Sequence, residues 1–90
     1  MATDDLMNRI NEQYRKMSKG QKLIAAYITD HFDQAAFFTA AQLGQQVGVS
    51  ESTVVRFATV VGYKGYPEFQ KALGAQVQKQ LNSPDRSEMT

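Results

Sequence analysis

Ser50, Glu51, Ser52, Thr53 and Arg56 form the stretch best suited to chemistry: three hydroxyls, a carboxylate and one bidentate donor within seven residues. On the first turns of a helix, such a set can engage base edges in a major groove, where an arginine fork matches guanine. A helix turned only to solvent would more often carry Lys and Glu. Three hydroxyls also cost helix propensity, which points to another use for them. Glu51 has a structural reading beside a cytosine contact, because a carboxylate in the first turn offsets the positive helix end. Catalysis has far less to draw on. Cys is absent, which excludes disulfides and cysteine-ligated zinc. His31 is the single histidine and falls near a helix end, where a protonated ring would suit the negative dipole terminus. No Ser-His-Asp relay, metal site or cofactor is expected, and the chain does not read as an enzyme.

The distribution of charge says more than its sum. The net charge is +1, yet residues 1–22 hold five cations against three carboxylates, while residues 23–49 hold only Asp30 and Asp33. The densest positive run is Arg15-Lys16-x-x-Lys19-x-x-Lys22, with no acid between its members. Such a run is ordinarily a solvated face. A chain that is 42% hydrophobic and 21% charged over 90 residues fits one globular domain rather than a disordered segment. No apolar run approaches the ~20 residues needed to cross a membrane. Asp4 and Asp5 also stand where a signal peptide would carry positive charge. A soluble, cytoplasmic module is the expectation.

The elements that must position the Ser50–Arg56 set are helical throughout, since no segment alternates as a strand does. The first helix opens after Thr3, with Asp4 and Asp5 in its first turn and Leu6, Met7, Ile10, Tyr14 and Met17 at three- and four-residue steps. Met7, Ile10, Tyr14 and Met17 match an a/d seam that could serve either the core or the interface of a homodimer. Ser18 and Gln21 form a capping box for a second helix with the stripe Leu23, Ile24, Tyr27, Ile28 and Phe32. Asp33 caps a single turn, Gln34 to Phe38, with Ala36, Phe37 and Phe38 as filling. Thr39 and Gln42 make a second box for a short helix bearing Leu43 and Val47, and Gly48 ends it in the left-handed region. Ser50 caps the next helix, with Val54, Val55, Phe57, Ala58 and Val61 inward. Gly62 terminates it, and Tyr63, Lys64, Gly65 and Tyr66 form a turn. Pro67 opens the last helix, through about Leu81, with Phe69, Leu73, Val77 and Leu81 in phase. An all-α bundle of five or six helices follows, of homeodomain-like or winged-helix-like type, occupying residues 1–81. Residues 82–90 read as a tail or the start of a linker.

Two short helices joined by three residues that include a glycine define a helix-turn-helix, here over about 39–61. Its second helix, about 51–61, is the recognition helix. Leu43 and Val47 bury one face, Gly44 sits where the helices cross closely, Gly48 makes the turn and Val49 plugs it. An ordinary helical hairpin shares this spacing; the outward hydroxyls and arginine are what favour DNA.

The segments Met17-Ser-Lys-Gly-Gln-Lys-Leu-Ile-Ala-Ala-Tyr-Ile28, Phe38-Thr-Ala-Ala-Gln-Leu43, VSESTVVRFA from Val49 and GYKGYPEF from Gly62 resemble the N-terminal domain of RpiR-type (MurR/RpiR) transcriptional regulators. The resemblance covers roughly residues 4–81. It implies sequence-specific DNA binding in the control of carbohydrate metabolism, in a bacterial cytoplasm, by a homodimer on a near-palindromic operator. In that family a sugar isomerase (SIS) domain follows and binds a sugar-phosphate effector, so this chain resembles the DNA-binding portion of a longer regulator. Matched residue by residue, Ser50, Ser52, Thr53 and Arg56 fall on the family's recognition-helix positions. Lys64, Gly65 and Tyr66 fall on a turn close to the DNA backbone. Physical chemistry agrees with these roles: a charge for phosphate, room for close approach and a hydroxyl, though Tyr66 could equally pack. Tyr63 reads as core. Thr39 could share its helix N-terminus with a phosphate. Gly44 departs from the family's more usual Ala, at a cost of about 0.5–1 kcal/mol in helix stability. The alternative is a helical protein-interaction adaptor whose first helix is the working surface.

Overall fold

The computed structural model describes residues 5–81, with side chains over 6–78. Five α-helices follow one another: α1 Asp5–Gln13, α2 Lys19–Ala35, α3 Ala40–Val47, α4 Glu51–Val60 and α5 Tyr66–Leu81, with a 3-10 turn Tyr14–Lys16 after α1. No strand occurs among the described residues. The expected positions of Asp4 and of the segment 82–90 lie outside them.

The helix starts follow from local chemistry. Ser18 Oγ accepts from the Gln21 amide at 3.2 Å while Gln21 Oε1 accepts from the Ser18 amide at 3.0 Å. Thr39 and Gln42 repeat this reciprocal pair at 3.1 and 2.9 Å. Two otherwise orphaned amides are satisfied at each start, so both helices begin where the sequence places them. Gly48 and Gly62 end α3 and α4 at φ +94° and +101°, the region where a side chain would be strained.

α2 is the central element and packs against α3, α4 and α5, while α1 lies on α5. The core is the inward set Leu6, Ile10, Met17, Ile24, Ile28, Leu43, Val54, Phe57, Phe69 and Leu73. Phe69 is its aromatic centre. The rings of Phe57, Tyr63 and Tyr66 stand 5.6, 5.8 and 5.7 Å from it, all tilted or edge-on. Such pairs add about 0.5–1.5 kcal/mol each beyond burial, and the Phe57–Phe69 pair joins α4 to α5.

Three apolar positions differ from the sequence expectation. α2 leaves helical geometry at His31 (φ −137°, ψ 40°) and resumes for one further turn, so its last segment ends at Ala35. Asp33 bonds only the adjacent Gln34 amide. In the tight turn that follows, the amides of Phe37 and Phe38 reach back to Gln34 and Ala35. This spacing turns Ala35 and Phe38 inward and leaves Phe37 81% exposed rather than filling the core. Leu23 falls off the buried stripe at 47% exposure because Ile24 and Ile28 already fill the α2 interface. Val55 is exposed for a related reason: Val54, Phe57, Ala58 and Val61 complete the inward side of α4 and its end, and Val55 lies beyond its edge. The expected seam of Met7, Ile10, Tyr14 and Met17 is not one helix face, because α1 ends at Gln13, Tyr14 opens the 3-10 turn and Met17 is extended. Ile10 (2% exposed) and Met17 (5%) belong to this chain's own core. Met7 is half-buried against that core and Tyr14 is exposed.

Candidate nucleic-acid interface

α3 and α4 are joined by Gly48, Val49 and Ser50, and the turn is drawn tightly onto Gly44. The Gly44 carbonyl accepts from both the Gly48 amide at 2.7 Å and the Val49 amide at 2.9 Å. A Cβ on Gly44 would stand 2.7 Å from the Val49 carbonyl oxygen, a backbone atom. The glycine that costs α3 some helix propensity therefore permits the close crossing anticipated from sequence.

The N-terminal turn of α4 holds three hydroxyls in contact. Ser50 Oγ accepts from the Thr53 amide at 3.2 Å, and lies 2.8 Å from Thr53 Oγ1 and 3.1 Å from Ser52 Oγ. Ser50 thus spends one lone pair on the cap and orients its neighbours. Thr53 is half-buried, with its methyl and the Val49 side chain packed over Gly20 at the start of α2. Glu51, Ser52, Val55 and Arg56 are exposed and line one shallow depression. Three of these carry hydrogen-bonding groups and Val55 supplies an apolar surface, a combination able to read a base pair's polar edge and a thymine methyl. Val55 escaped the sequence reading because its residue type suggested the core. Its position directly after Val54, opposite the inward set, was the available signal. Thr59, one turn beyond Arg56, is exposed and directs its hydroxyl to the Arg56 carbonyl at 2.8 Å.

The turn after α4 brings Lys64 and Gly65 to the other end of this helix. Lys64 is exposed, and its amide donates to Glu68 Oε1 at 2.7 Å, fixing the turn onto the first turn of α5. A Cβ on Gly65 would find only the Pro67 ring, at 3.8 Å, so the tightness of this turn does not itself require a glycine. Tyr66 leaves the set of phosphate candidates. It is 6% exposed, and its hydroxyl donates to the Phe38 carbonyl at 2.6 Å, which consumes the single proton a phosphate would need. Burial pushes its phenol up to about 12. Thr39 is exposed at the head of α3, with its oxygen accepting from Gln42 and its own proton still to place. Tyr63 packs on Phe69, as expected of a core ring.

Arg9 carries a role that sequence reading missed. From α1 it reaches the C-terminal end of α4, where Nη1 donates to the carbonyls of Gly62 at 3.2 Å and Val61 at 3.5 Å. Its guanidinium also lies 4.7 Å from the centre of the Tyr63 ring. A cation at that end complements the helix dipole. These partners stand more than fifty residues apart in sequence, so no local pattern announces them. Among the described residues no group of three or more His, Cys, Asp or Glu is placed to hold a metal ion, and no helix is long and apolar enough to cross a membrane.

A capped helix with its polar side outward, crossed by a short helix through a glycine turn, is the arrangement of a helix-turn-helix DNA-binding domain. The chain belongs to the rpiR family of such domains, whose pattern matches residues 4–80. It is 37% identical over 76 residues to the uncharacterized HTH-type transcriptional regulator YfhH of Escherichia coli K12, covering 84% of this chain and 27% of that protein. It is 35% identical over 66 residues to the HTH-type transcriptional regulator HexR of Pseudomonas aeruginosa, covering 73% of this chain and 23% of that one. Among solved structures, the Vibrio vulnificus NanR protein complexed with ManNAc-6P matches with a TM-score of 0.77 at 32% identity, over 84% of this chain and 29% of that one. This chain spans about a quarter of the length of these curated relatives.

Proposed function

We propose that this chain is the DNA-reading module of a bacterial, cytoplasmic transcriptional regulator of carbohydrate metabolism, with α4 in the major groove. The exposed side of α4 carries the reading: Glu51, Ser52, Val55 and Arg56 face outward together while Val54, Phe57 and Ala58 anchor the helix. Arg56 reads guanine through its fork, Ser52 offers a hydroxyl to a base or backbone edge, and Val55 meets a thymine methyl. Ser50 and Thr53 hold the helix start, and Lys64, with Thr39 at the head of α3, fixes the register on phosphates.

Ten residues of α4, about 15 Å of helix, span only a few base pairs. Specificity then comes from two copies on a two-fold site, and a homodimer on a near-palindromic operator is the functional unit. The effector is a sugar phosphate taken by a sugar isomerase domain outside this chain. The ManNAc-6P bound to NanR and the family resemblance support that assignment. Selection of bound duplexes from a random library tests the reading. Enrichment of a near-palindrome with half-site centres about 34–36 Å apart, or a multiple, is expected. No enrichment at low salt would refute it.

A further inference from the structure

The cationic run at the start of α2 has no part in the site described so far. Arg15 and Lys16 lie in the 3-10 turn and Lys19 is the first residue of α2. All three are exposed, and none has a carboxylate partner among the described residues. Lys22 is occupied differently, with its ammonium 5.2 Å from the centre of the Tyr14 ring.

The position of this run is set by Gly20. A Cβ there would stand 3.3 Å from the Thr53 methyl and 3.4 Å from a Val49 methyl. The first turn of α2 therefore rests directly on the turn of the helix-turn-helix and on the first turn of α4. Lys19 is the chain neighbour of that contact, and Arg15 and Lys16 precede it in the 3-10 turn, across the extended residues Met17 and Ser18. Lys19 thus stands beside the N-terminal end of the recognition helix, with Lys16 and Arg15 three and four residues before it in the chain. No carboxylate lies between the members of the run; Glu12 is the nearest before it in sequence and Asp30 the nearest after. A duplex whose major groove receives α4 carries a line of phosphates along each groove edge, which is the polyanion complementary to such a run.

We infer that Lys16 and Lys19, with Arg15 beside them, form a second phosphate-binding surface that grips the DNA backbone flanking the bases read by α4. The inference rests on the DNA-binding reading above. It divides the backbone contacts between two ends of α4: the Lys64 turn at the C-terminal end and this run at the N-terminal end. Backbone contacts of this kind set affinity and register and carry no sequence information.

The test compares the wild-type chain with a Lys16→Gln/Lys19→Gln variant, and with Lys16→Arg/Lys19→Arg, on a random-sequence duplex of about 30 base pairs across a salt series. Each lost phosphate contact reduces the magnitude of the slope of log K against log salt by about 0.9. Between 50 and 200 mM salt the wild type should thus lose roughly tenfold more affinity than the glutamine variant. The arginine variant should keep the wild-type slope, and far-UV circular dichroism should be unchanged in all three. A single Lys19→Cys, unique in a chain without cysteine, carrying an iron chelate should cleave selected operator DNA at the flank of each half-site. A glutamine variant with the wild-type slope, or cleavage confined to positions away from the duplex flank, would overturn the inference alone. A wild-type chain that binds no duplex at any salt would instead refute the DNA-binding reading.

Discussion

Tyr66→Phe separates the two roles open to this residue, because it deletes one oxygen and leaves the ring against Phe69, 5.7 Å between centres. The lost interaction is the 2.6 Å bond from the Tyr66 hydroxyl to the Phe38 carbonyl. That carbonyl is not orphaned, since Gln70 Nε2 also donates to it at 2.9 Å and to Ala36 at 3.2 Å. The cost is therefore the net value of one hydrogen bond, about 0.5–1.5 kcal/mol, without the larger penalty of a stranded acceptor. For a domain of this size about 1 kcal/mol lowers Tm by roughly 4–8 °C. DNA affinity and its salt slope should stay at wild-type values. The pH dependence gives an independent check. In the unfolded chain the phenol ionises near 10.0, whereas in the folded chain burial holds it to about 12. The unfolded state therefore releases its proton first as pH rises. The stability contributed by Tyr66 is complete below pH 10 and is lost as pH climbs toward 12, so the advantage of wild type over the Phe variant should shrink and then reverse over that window. Urea denaturation at a series of pH values measures it. A variant of unchanged stability with weakened, less salt-dependent DNA binding would refute the argument and return the hydroxyl to the backbone.

Arg56→Ala should lose about 1–3 kcal/mol on the selected operator and little on random duplex, whereas Lys64→Ala should weaken both alike and reduce the salt slope by about one; matching profiles in a binding titration would show the sorting of base and phosphate contacts to be wrong. Replacing the operator's thymines by deoxyuridine one at a time should weaken wild type at one position per half-site, and Val55→Ala should abolish that discrimination. Arg9→Met removes charged hydrogen bonds at the end of α4 and a ring contact, and should cost about 1–2 kcal/mol in chemical denaturation while preserving operator preference. Ile10→Asp places a carboxylate at a position 2% exposed and should unfold the isolated chain, at more than about 3 kcal/mol, whereas Tyr14→Asp should leave circular dichroism unchanged.

What the sequence disclosed and what it hid divide by range. The capping boxes at Ser18 and Thr39 and the left-handed glycines at 48 and 62 were legible because each is decided within a few residues. The inward faces of α3 and α4 were legible from apolar spacing. Val55 and Leu23 were misplaced because apolar type outweighed angular position, and only the packed neighbours show that the inward face is already full. Phe37 turned outward because one residue of irregular turn shifts the register by more than a helix period tolerates. The Tyr66 hydroxyl and Arg9 were beyond reach for a different reason: their partners, Phe38 and the carbonyls of Val61 and Gly62, come from distant elements.

These long-range contacts also bear on what α1 is for. The recognition helix is steadied from both ends by elements that precede the motif in sequence. At its start α2 packs Gly20 beneath Thr53, and at its end α1 holds the Gly62 carbonyl through Arg9. Buried Leu6 and Ile10 fix α1 in place for that task, and buried Met17 anchors the chain just after it. An a/d seam needs all its knobs free to enter a partner's holes, and here two of the four are already committed to the chain's own core. A standard interface removes about 800 Å² per partner. Tyr14, its ring beneath Lys22, and half-buried Met7 offer a small fraction of that. On this geometry α1 braces α4, and the expected outcome is that the pairing of half-sites proposed above draws most of its area from other surfaces. Sedimentation at high micromolar concentration decides the point: a wild-type chain that is dimeric and becomes monomeric on Tyr14→Asp, with its fold intact, would restore α1 as the seam.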